Sequence, residues 1–558
     1  MHLGTLPVYR PFRETGGTNF WEENGMKNPN GRRWSAVLLV LIFTLSLVLA
    51  GCHEEPQKPE SDVSAAATTA APEESTEPSG SEPAEPTEPS ASVTPDDPAS
   101  SGGTKAPVKP GGTSTQRPLG TTAVTKANGT TKPDGTTAPT SPATTGRTTR
   151  KPGEATNGYI QPQFFISTFK ALPHSTGASL ETFKKIVRLN KEAGINLVEN
   201  AIMSRAEGLQ AFEACEAEGM RFLAQNITAD KGYSGMGGNI HPFDDALIKA
   251  TVEELAKYKY LEGYYTWDEV PRDQFDTARR LNDLFKKHDR SALAFALILP
   301  SYGTYRWTAP DGNWRNAIYA QYVNEYVEKV SPDVLSFDYY PFQQHGGENT
   351  NLTNCPMWRD MGLMRQKSLE TGKPFWFYFQ GYSMGANYTF TPEMISTQMY
   401  CALAYGVKCL SYFSTIDCIA DKTGNKLENF DAIKAINRRV QNIGDLLFDK
   451  TSEELYHFGI KKANHDLYYL DKVEGSAWIA GAPDNTVVGV HGDGSAKKYV
   501  VVSSKDYKNG ITGELTLRKA VKISRFDPET GKTAQVSAKA QSVALDIPAG
   551  GCAVFVLG

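Results

Sequence analysis

The length and composition of the chain exclude several classes of protein. At 558 residues it exceeds one average domain, and its 40% hydrophobic and 22% charged residues are enough to form packed cores. The net charge of -5 provides no basic surface, so no nucleic-acid partner is expected. The seven cysteines are few, scattered and without a CxxC pair, which argues against a disulfide scaffold and a structural zinc site. The sequence therefore predicts neither a metal nor any other cofactor.

The amino-terminal region has the pattern of an export signal. Arg32 and Arg33 precede an apolar run over residues 36–51, which is shorter than the roughly 20 residues of a membrane-spanning helix. The run ends in Leu-Ala-Gly-Cys, which resembles the bacterial lipobox. This resemblance implies cleavage before Cys52 and a lipid on its thiol. We expect a signal peptide over residues 1–52, with Met26 as its start, and a protein held on the outer face of the cytoplasmic membrane. An ordinary secretory signal with an incidental cysteine is the alternative.

A long linker is predicted after the signal. Residues 53–157 consist mainly of Pro, Thr, Ser, Ala, Glu and Gly, with almost no large apolar side chain. Such a composition cannot bury enough apolar surface to offset the entropy of ordering the chain. We therefore expect a disordered linker that holds the following domains away from the membrane.

Short apolar segments alternate with amphipathic segments over residues 158–450. Strands are predicted at 164–169, 196–201, 221–226, 263–267, 292–299, 334–339, 375–380 and 409–414. Helices are predicted at 180–193, 205–218, 243–259, 274–287, 315–329, 357–370, 392–405 and 432–447, the first with Ser179 as its N-cap. No strand is followed by a nucleotide-binding glycine motif. Eight strand-helix units favour an α/β fold of the closed (β/α)8 TIM barrel type.

The pattern changes in residues 451–558. Short alternating segments, at 498–503, 513–517, 521–526 and 553–557, are separated by turns rich in Gly, Asp and Asn. No segment has a helical period. This region is therefore predicted to be a C-terminal β-sandwich.

Two adjacent carboxylates follow the fourth predicted strand of the barrel. Asp268 and Glu269 lie where that strand enters a loop, and the loops at the carboxyl ends of barrel strands form the active site of such folds. Adjacent carboxylates repel each other, and burial raises the pKa of at least one, as a general acid requires. Capping of the next helix by one of them is the alternative, although Asp273 is better placed for that role.

The Gly-Tyr-Tyr-Thr-Trp-Asp-Glu segment resembles the acid/base strand of the large retaining clan of barrel glycoside hydrolases, including family 42 β-galactosidases. This resemblance implies Glu269 as general acid/base. In that clan a Glu at the end of strand seven is the nucleophile, whereas this chain has Gln380 there. A glutamine cannot form the glycosyl ester. Asp338, at the end of strand six, is a candidate nucleophile or base instead.

Gln380 is also compatible with two further possibilities. The Asp268-Glu269 pair resembles the pair of the substrate-assisted hexosaminidases of families 20 and 123, in which Glu is the acid and Asp orients the 2-acetamido group of the substrate. That scheme needs no enzyme nucleophile. Alternatively, catalysis is lost, and the protein is a carbohydrate-binding surface lipoprotein on a degenerate barrel. For Asp338, hydrogen bonding to backbone amides at a strand end is the alternative role.

Further polar and aromatic residues at the strand ends suit a sugar-binding cleft. Short amides and carboxylates bind hydroxyl groups, and aromatic faces cover the apolar face of a pyranose. The predicted substrate-binding residues are Glu199, Asn200, Gln225, Asn226, Trp267, Tyr302, Tyr340, Gln380 and Asp417, with Trp307, Tyr339 and Tyr382 as further aromatic candidates. Each aromatic residue taken alone fits the core or rim better than a ligand contact, and only their concentration at the strand ends favours a binding role. The Gly- and Asn-rich loops 232–241 and 343–353 are expected to be mobile lids.

Overall fold

The computed structural model describes residues 158–174, 176–199, 204–225, 242–303, 316–460 and 473–558. The predicted signal peptide, Cys52 and the linker lie outside these residues. So do Asn200, Asn226, Trp307 and loop 232–241. Across the described ranges, no helix combines the length and apolar character needed to cross a membrane.

Eight parallel strands form a closed barrel. They are β1 Phe165–Lys170, β2 Leu197–Glu199, β3 Arg221–Gln225, β4 Leu261–Trp267, β5 Leu293–Ala296, β6 Leu335–Tyr339, β7 Phe375–Phe379 and β8 Cys409–Ser414. The strands are hydrogen-bonded in the order β5-β4-β3-β2-β1-β8-β7-β6. A parallel bridge between Ile298 and Phe337 joins the two ends of this series. The predicted (β/α)8 TIM barrel is therefore confirmed.

A helix follows each strand. The main helices are α1 Leu180–Glu192, α2 Arg205–Glu218, α3 Asp245–Leu255, α4 Phe275–His288, α5 Asn316–Glu325, α6 Met357–Thr371, α7 Pro392–Tyr405 and α8 Phe430–Leu447. Ser179 caps α1 as predicted, since its hydroxyl accepts a hydrogen bond from the Thr182 N–H at 3.2 Å. Helix α3 is shorter than the predicted 243–259, because the Asp244 carboxylate accepts from the Leu247 N–H and starts the helix there.

The barrel has an interior core and an outer core. Side chains such as Phe165, Leu223 and Trp376 fill the interior, whereas Phe183, Phe212 and Phe337 belong to the larger core that includes residues of the surrounding helices. Because side chains fill the interior, the barrel is not a pore. The carboxyl ends of the strands are therefore where a substrate can bind.

A seven-stranded antiparallel sheet follows the barrel. Its strands are β9 Thr451–His457, β10 Ile479–Gly481, β11 Thr486–Gly492, β12 Lys498–Ser504, β13 Ile511–Asp527, β14 Lys532–Ile547 and β15 Cys552–Leu557. The two strands predicted at 513–517 and 521–526 form one continuous strand, β13. It pairs with β10 at Leu517 and with β15 from Ile523 to Phe526. One long strand thus pairs with different strands at its two ends. This arrangement, and the separate hydrophobic core of the C-terminal region, are consistent with the predicted β-sandwich.

This C-terminal sheet packs closely on the barrel. A Cβ atom at Gly489 in β11 would lie 2.0 Å from the carbonyl oxygen of Ala404 in α7, so only glycine fits there. The Ser503 hydroxyl of β12 donates to the Tyr400 carbonyl of the same helix at 2.8 Å. Helix α7 is therefore covered by the C-terminal sheet.

Candidate active site

A bulge at the end of β4 presents the two adjacent carboxylates. The Leu297 N–H donates to Trp267 O at 2.9 Å, and the Val270 N–H donates to Leu297 O at 3.0 Å. In regular parallel pairing these two bonds enclose one residue, whereas here they enclose Asp268 and Glu269. Glu269 has a φ of 52°, a conformation that costs about 1–3 kcal/mol for a residue other than glycine. The neighbouring ladder bonds hold this strained residue in place.

Asp268 is held from inside the barrel. Its side chain is buried, and its Oδ1 accepts a hydrogen bond of 2.8 Å from the Tyr265 hydroxyl. Tyr265 in turn stacks on Phe295, with ring centroids 4.7 Å apart and planes 3° apart. The orientation of Asp268 is therefore fixed by the packed interior, whereas Glu269 beside it is partly exposed.

Asp338 at the end of β6 is a buried carboxyl group in the same site. It is 5% exposed, and among the described residues its Oδ1 has no hydrogen-bond partner. Burial raises the pKa of Asp338 well above its usual value, the negative charges of Glu269 and Asp268 raise it further, and a hydrogen bond with Tyr340 lowers it. The three predicted catalytic residues are therefore close enough for the charges of Asp268 and Glu269 to change the pKa of Asp338. Three carboxylates that repel one another favour retention of a proton.

Tyr340 hydrogen-bonds to Asp338, and Tyr302 contacts Tyr340. Both tyrosines are partly exposed, as a substrate-binding role requires. The Tyr340 N–H donates to the Tyr302 hydroxyl at 3.3 Å. Burial raises the pKa of the Tyr340 hydroxyl, and the charge of Asp338 is the next cause. The hydroxyl therefore stays protonated and remains a hydrogen-bond donor.

Phe413, which the sequence did not single out, lies at the centre of an aromatic cluster. Its ring meets Tyr340 edge-on at 5.1 Å and is nearly parallel to Tyr382 at 6.3 Å. The ammonium group of Lys170 lies 4.8 Å from the centre of the Phe413 ring. Both residues were detectable in principle, because Phe413 is in the predicted strand eight and Lys170 follows predicted strand one. Alternation within a strand did not reveal which of them is exposed.

Glu199 lies inside the barrel and is fully buried. Its carboxylate accepts hydrogen bonds from Ser167 at 2.9 Å, Tyr378 at 3.0 Å and Ser411 at 3.2 Å. Burial raises the pKa of Glu199 to about 7, while these hydroxyl groups act in the opposite direction. Its contacts connect β2 with β1, β7 and β8. In this structure the side chain supports the strands rather than opening onto a cleft.

Gln380, at the expected nucleophile position, is also fully buried, and its amide is occupied. Its oxygen accepts from the Gln343 N–H at 3.0 Å. Its nitrogen donates to Tyr382 O at 3.0 Å and to the Tyr388 hydroxyl at 2.9 Å. The amide therefore joins the segment after β6 to the segment after β7. A carboxylate could not supply the donors that this position uses.

The remaining predicted binding residues have different environments. Trp267 is only 1% exposed and packs in the outer core, so the prediction that its face covers a sugar is corrected. Gln225 is 3% exposed, and its Oε1 has no hydrogen-bond partner in the described ranges. Asp417 is exposed after β8, with its N–H bonded to Ala420 O at 2.9 Å. Within the residues the structure describes, no group of three or more His, Cys, Asp or Glu is placed to hold a metal ion.

No family model and no curated protein matches this chain. Among solved structures, a glycoside hydrolase family 5 protein from Bacteroides vulgatus is similar with a TM-score of 0.43 and 11% identity, over 71% of this chain and 89% of that one. A GH27 β-L-arabinopyranosidase from Geobacillus stearothermophilus has a TM-score of 0.40 and 9% identity, over 71% and 96% of the two chains. A β-galactosidase from Bacillus circulans has a TM-score of 0.40 and 10% identity, over 71% and 99%. These structural neighbours are glycoside hydrolases, and at such identities no residue role carries over.

Proposed function

We propose that the protein is an extracytoplasmic glycoside hydrolase in which Glu269 is the general acid/base. The observation that carries this proposal is the group of three carboxyl groups at the carboxyl ends of β4 and β6, with the strained Glu269 at its exposed side. Hydrolysis of a glycosidic bond needs one protonated and one ionised carboxyl group in one site. A site that retains a proton among ionised neighbours meets that need.

Glu269 is the proton donor because it is the partly exposed member of the three. A donor must reach the glycosidic oxygen of a substrate in the cleft. In the ligand-free site, burial favours the proton on Asp338. Electrostatic linkage is reciprocal, so a sugar hydroxyl that donates to Asp338 Oδ1 would stabilise the ionised form of Asp338 and raise the proton affinity of Glu269. Substrate binding thus prepares the acid.

Asp338 is the second carboxyl group of this pair and acts as base or nucleophile once ionised. The charge of Glu269 is the largest charge effect on Asp338, as expected of two groups that divide acid and base roles. If the substrate instead carries a 2-acetamido group, Asp268 orients that group and Asp338 only binds. The Tyr265 hydroxyl that holds Asp268 at 2.8 Å supports such an orienting role.

A panel of substrates and variants tests the proposal. We expect the wild type to hydrolyse glycosides, and Asp338→Asn to abolish turnover even of activated aryl glycosides. If N-acetylhexosaminides are the substrates, Asp268→Asn is expected to have the larger effect. Glu514→Gln, which changes an exposed carboxylate of the C-terminal sheet, is the matched control and is expected to behave as wild type. Full activity of both Asp338→Asn and Asp268→Asn would contradict the assignment.

A non-catalytic carbohydrate-binding protein is the second candidate. The observation that favours it is Gln380, whose buried amide leaves no carboxylate at the end of β7. Its expected signature is binding of oligosaccharides without turnover, unchanged in Glu269→Gln. Calorimetry with the same panel of oligosaccharides distinguishes it from the hydrolase.

Membrane attachment through Cys52 is part of the proposed function, and the Leu-Ala-Gly-Cys sequence supports it. We expect the full chain to partition with membranes, and Cys52→Ala to release it or stall its maturation. Mass spectrometry of the protein from its host measures the lipid directly. An uncleaved, unmodified Cys52 would refute this part.

A further inference from the structure

The segment that follows the active-site end of β6 is held on two sides. This post-β6 segment, residues 341–353, begins directly after Asp338, Tyr339 and Tyr340. The Gly and Asn content of residues 343–353 predicts a mobile lid. In the structure, the segment makes contacts with both the barrel and the C-terminal sheet.

Hydrogen bonds within the barrel hold the start of the segment. The Gln343 N–H donates to the buried Gln380 amide oxygen at 3.0 Å. The Tyr339 hydroxyl lies 2.9 Å from Nε2 of His345. The start of the segment is therefore tied to β6 and to the end of β7.

Loops between strands of the C-terminal sheet supply the other contacts. Tyr507, between β12 and β13, makes the most of them. Its hydroxyl lies 2.7 Å from Glu348 O and 2.9 Å from Thr350 O. Its ring packs edge-on against Phe342, with centroids 5.1 Å apart. The segment ends at Thr353, whose hydroxyl donates to the Asn485 side chain at 2.6 Å. Residues of the sheet thus contact both the beginning and the end of the segment.

The contacts of Tyr507 are connected to Asp338 through Phe342 and Tyr340. Phe342 is two residues from Tyr340, which hydrogen-bonds to Asp338 and lowers its pKa. Thr350 is 4% exposed, and a buried carbonyl without a donor costs free energy. Loss of the Tyr507 hydroxyl would therefore favour movement of the segment toward water, and Tyr340 would move with it.

We propose that Tyr507 is a positioning residue of the active site, through which the C-terminal sheet holds the post-β6 segment and so orients Tyr340 and Asp338. This inference rests on the proposed function, since it gives the sheet a part in catalysis. The sheet is then a structural component of the active site rather than a separable carbohydrate-binding module.

Tyr507→Phe in the full chain tests this, because it removes the hydroxyl and keeps the ring on Phe342. The matched control is Tyr159→Phe. The Tyr159 hydroxyl donates to the Glu262 carboxylate at 3.0 Å. Tyr159 precedes β1, and Glu262 is the second residue of β4. This contact therefore lies at the amino ends of the strands, opposite the active-site end of the barrel.

We expect kcat of Tyr507→Phe to fall about 10-fold with KM nearly unchanged, the upper range for one hydrogen bond. Since Tyr340 lowers the pKa of Asp338, the acid limb of the pH-rate profile should move to higher pH. Amide hydrogen exchange should become several-fold faster over residues 338–353. Tyr159→Phe should lower stability and leave kcat, the pH profile and exchange in this segment unchanged.

Two results would overturn the proposal. One is unchanged exchange over residues 338–353 in Tyr507→Phe, and the other is faster exchange with an unaltered kcat and pH profile. A wild type that turns over no glycoside would instead refute the proposed function. In that case amide exchange at residues 338–340 still tests the positioning role. Faster exchange in Tyr507→Phe than in Tyr159→Phe supports it, and equal exchange in both variants overturns it.

Discussion

Substitution Gln380→Glu introduces at the end of β7 the residue type that serves as nucleophile in the retaining clan that the sequence resembles. If the chain were a degenerate retaining enzyme, this change would return a nucleophile. The hydrogen bonds of Gln380 predict the opposite outcome. Its nitrogen donates to Tyr382 O and to the Tyr388 hydroxyl, and the side chain is fully buried.

The magnitude follows from the groups that lose a donor. A carboxylate would place an oxygen against the Tyr382 carbonyl and would itself be buried without a positive partner in the contacts Gln380 makes. Each buried group left without its hydrogen bond costs about 1–3 kcal/mol, so we expect a loss of roughly 2–5 kcal/mol in the free energy of unfolding. The control is Gln535→Glu on an exposed position of β14, which should change stability by less than about 0.5 kcal/mol.

The destabilisation should depend on pH in a defined direction. Burial would raise the pKa of a carboxyl group at position 380 above its unfolded value, and a protonated carboxyl can donate to Tyr382 O. Stability gained in this way is present below the unfolded pKa, near about 4.3, and is lost as pH rises through the folded pKa. Denaturant unfolding of Gln380→Glu at pH 5 and pH 8 should therefore show the larger deficit at pH 8. Wild-type stability with a gain of hydrolysis would refute this reasoning.

Three other substitutions test separate parts of the structure. Because Glu269 has a φ of 52°, the free energy of unfolding of Glu269→Gly should exceed that of Glu269→Ala by about 1 kcal/mol in denaturant unfolding. Equal free energies would show that the strain is absent. Burial raises the pKa of Glu199 to about 7. This shift stabilises the folded protein at a pH below the unfolded pKa of the group, and the stabilisation, about 3 kcal/mol, is lost as the pH rises through about 7. Glu199→Gln should flatten that pH dependence, and an unchanged slope of unfolding free energy against pH would contradict the assignment. At Gly489, a Cβ would lie 2.0 Å from Ala404 O, so Gly489→Ala should lower the free energy of unfolding by about 3 kcal/mol or more. A wild-type midpoint in thermal unfolding would show that the sheet and the barrel can move apart at little cost.

The barrel was predictable because its signals are local. Each strand is an apolar run bounded by polar residues, and helices such as α1 carry their own caps. The single strand β13 was predicted as two, because its sequence gives no sign that one strand pairs with β10 and β15 in turn. Strand β14 was missed since most of its side chains are exposed, which removes the alternation that marks a strand.

The residue types of the site were also predictable, but their environments were not. Alternation places Trp267 on the same side of β4 as Tyr265, yet the register shifts between these residues and Trp267 joins the outer core. The shift arises in the pairing with Phe295 and Ala296, about 30 residues away in sequence, which no local pattern contains. Gln380 was recognised as a departure from the clan that the sequence resembles, whereas its partners Gln343 and Tyr388 come from separate loops.

The measurement that tests the central claim most directly is the rate of Glu269→Gln on two classes of substrate. A natural glycoside needs protonation of its leaving oxygen, and general acid catalysis is worth about 10²–10⁴ in rate. An aryl glycoside with a good leaving group needs little. We therefore predict that kcat/KM of Glu269→Gln falls by about 10²–10⁴ on the natural glycoside and by far less on the aryl glycoside. Equal rates for Glu269→Gln and wild type on both substrates would contradict the account.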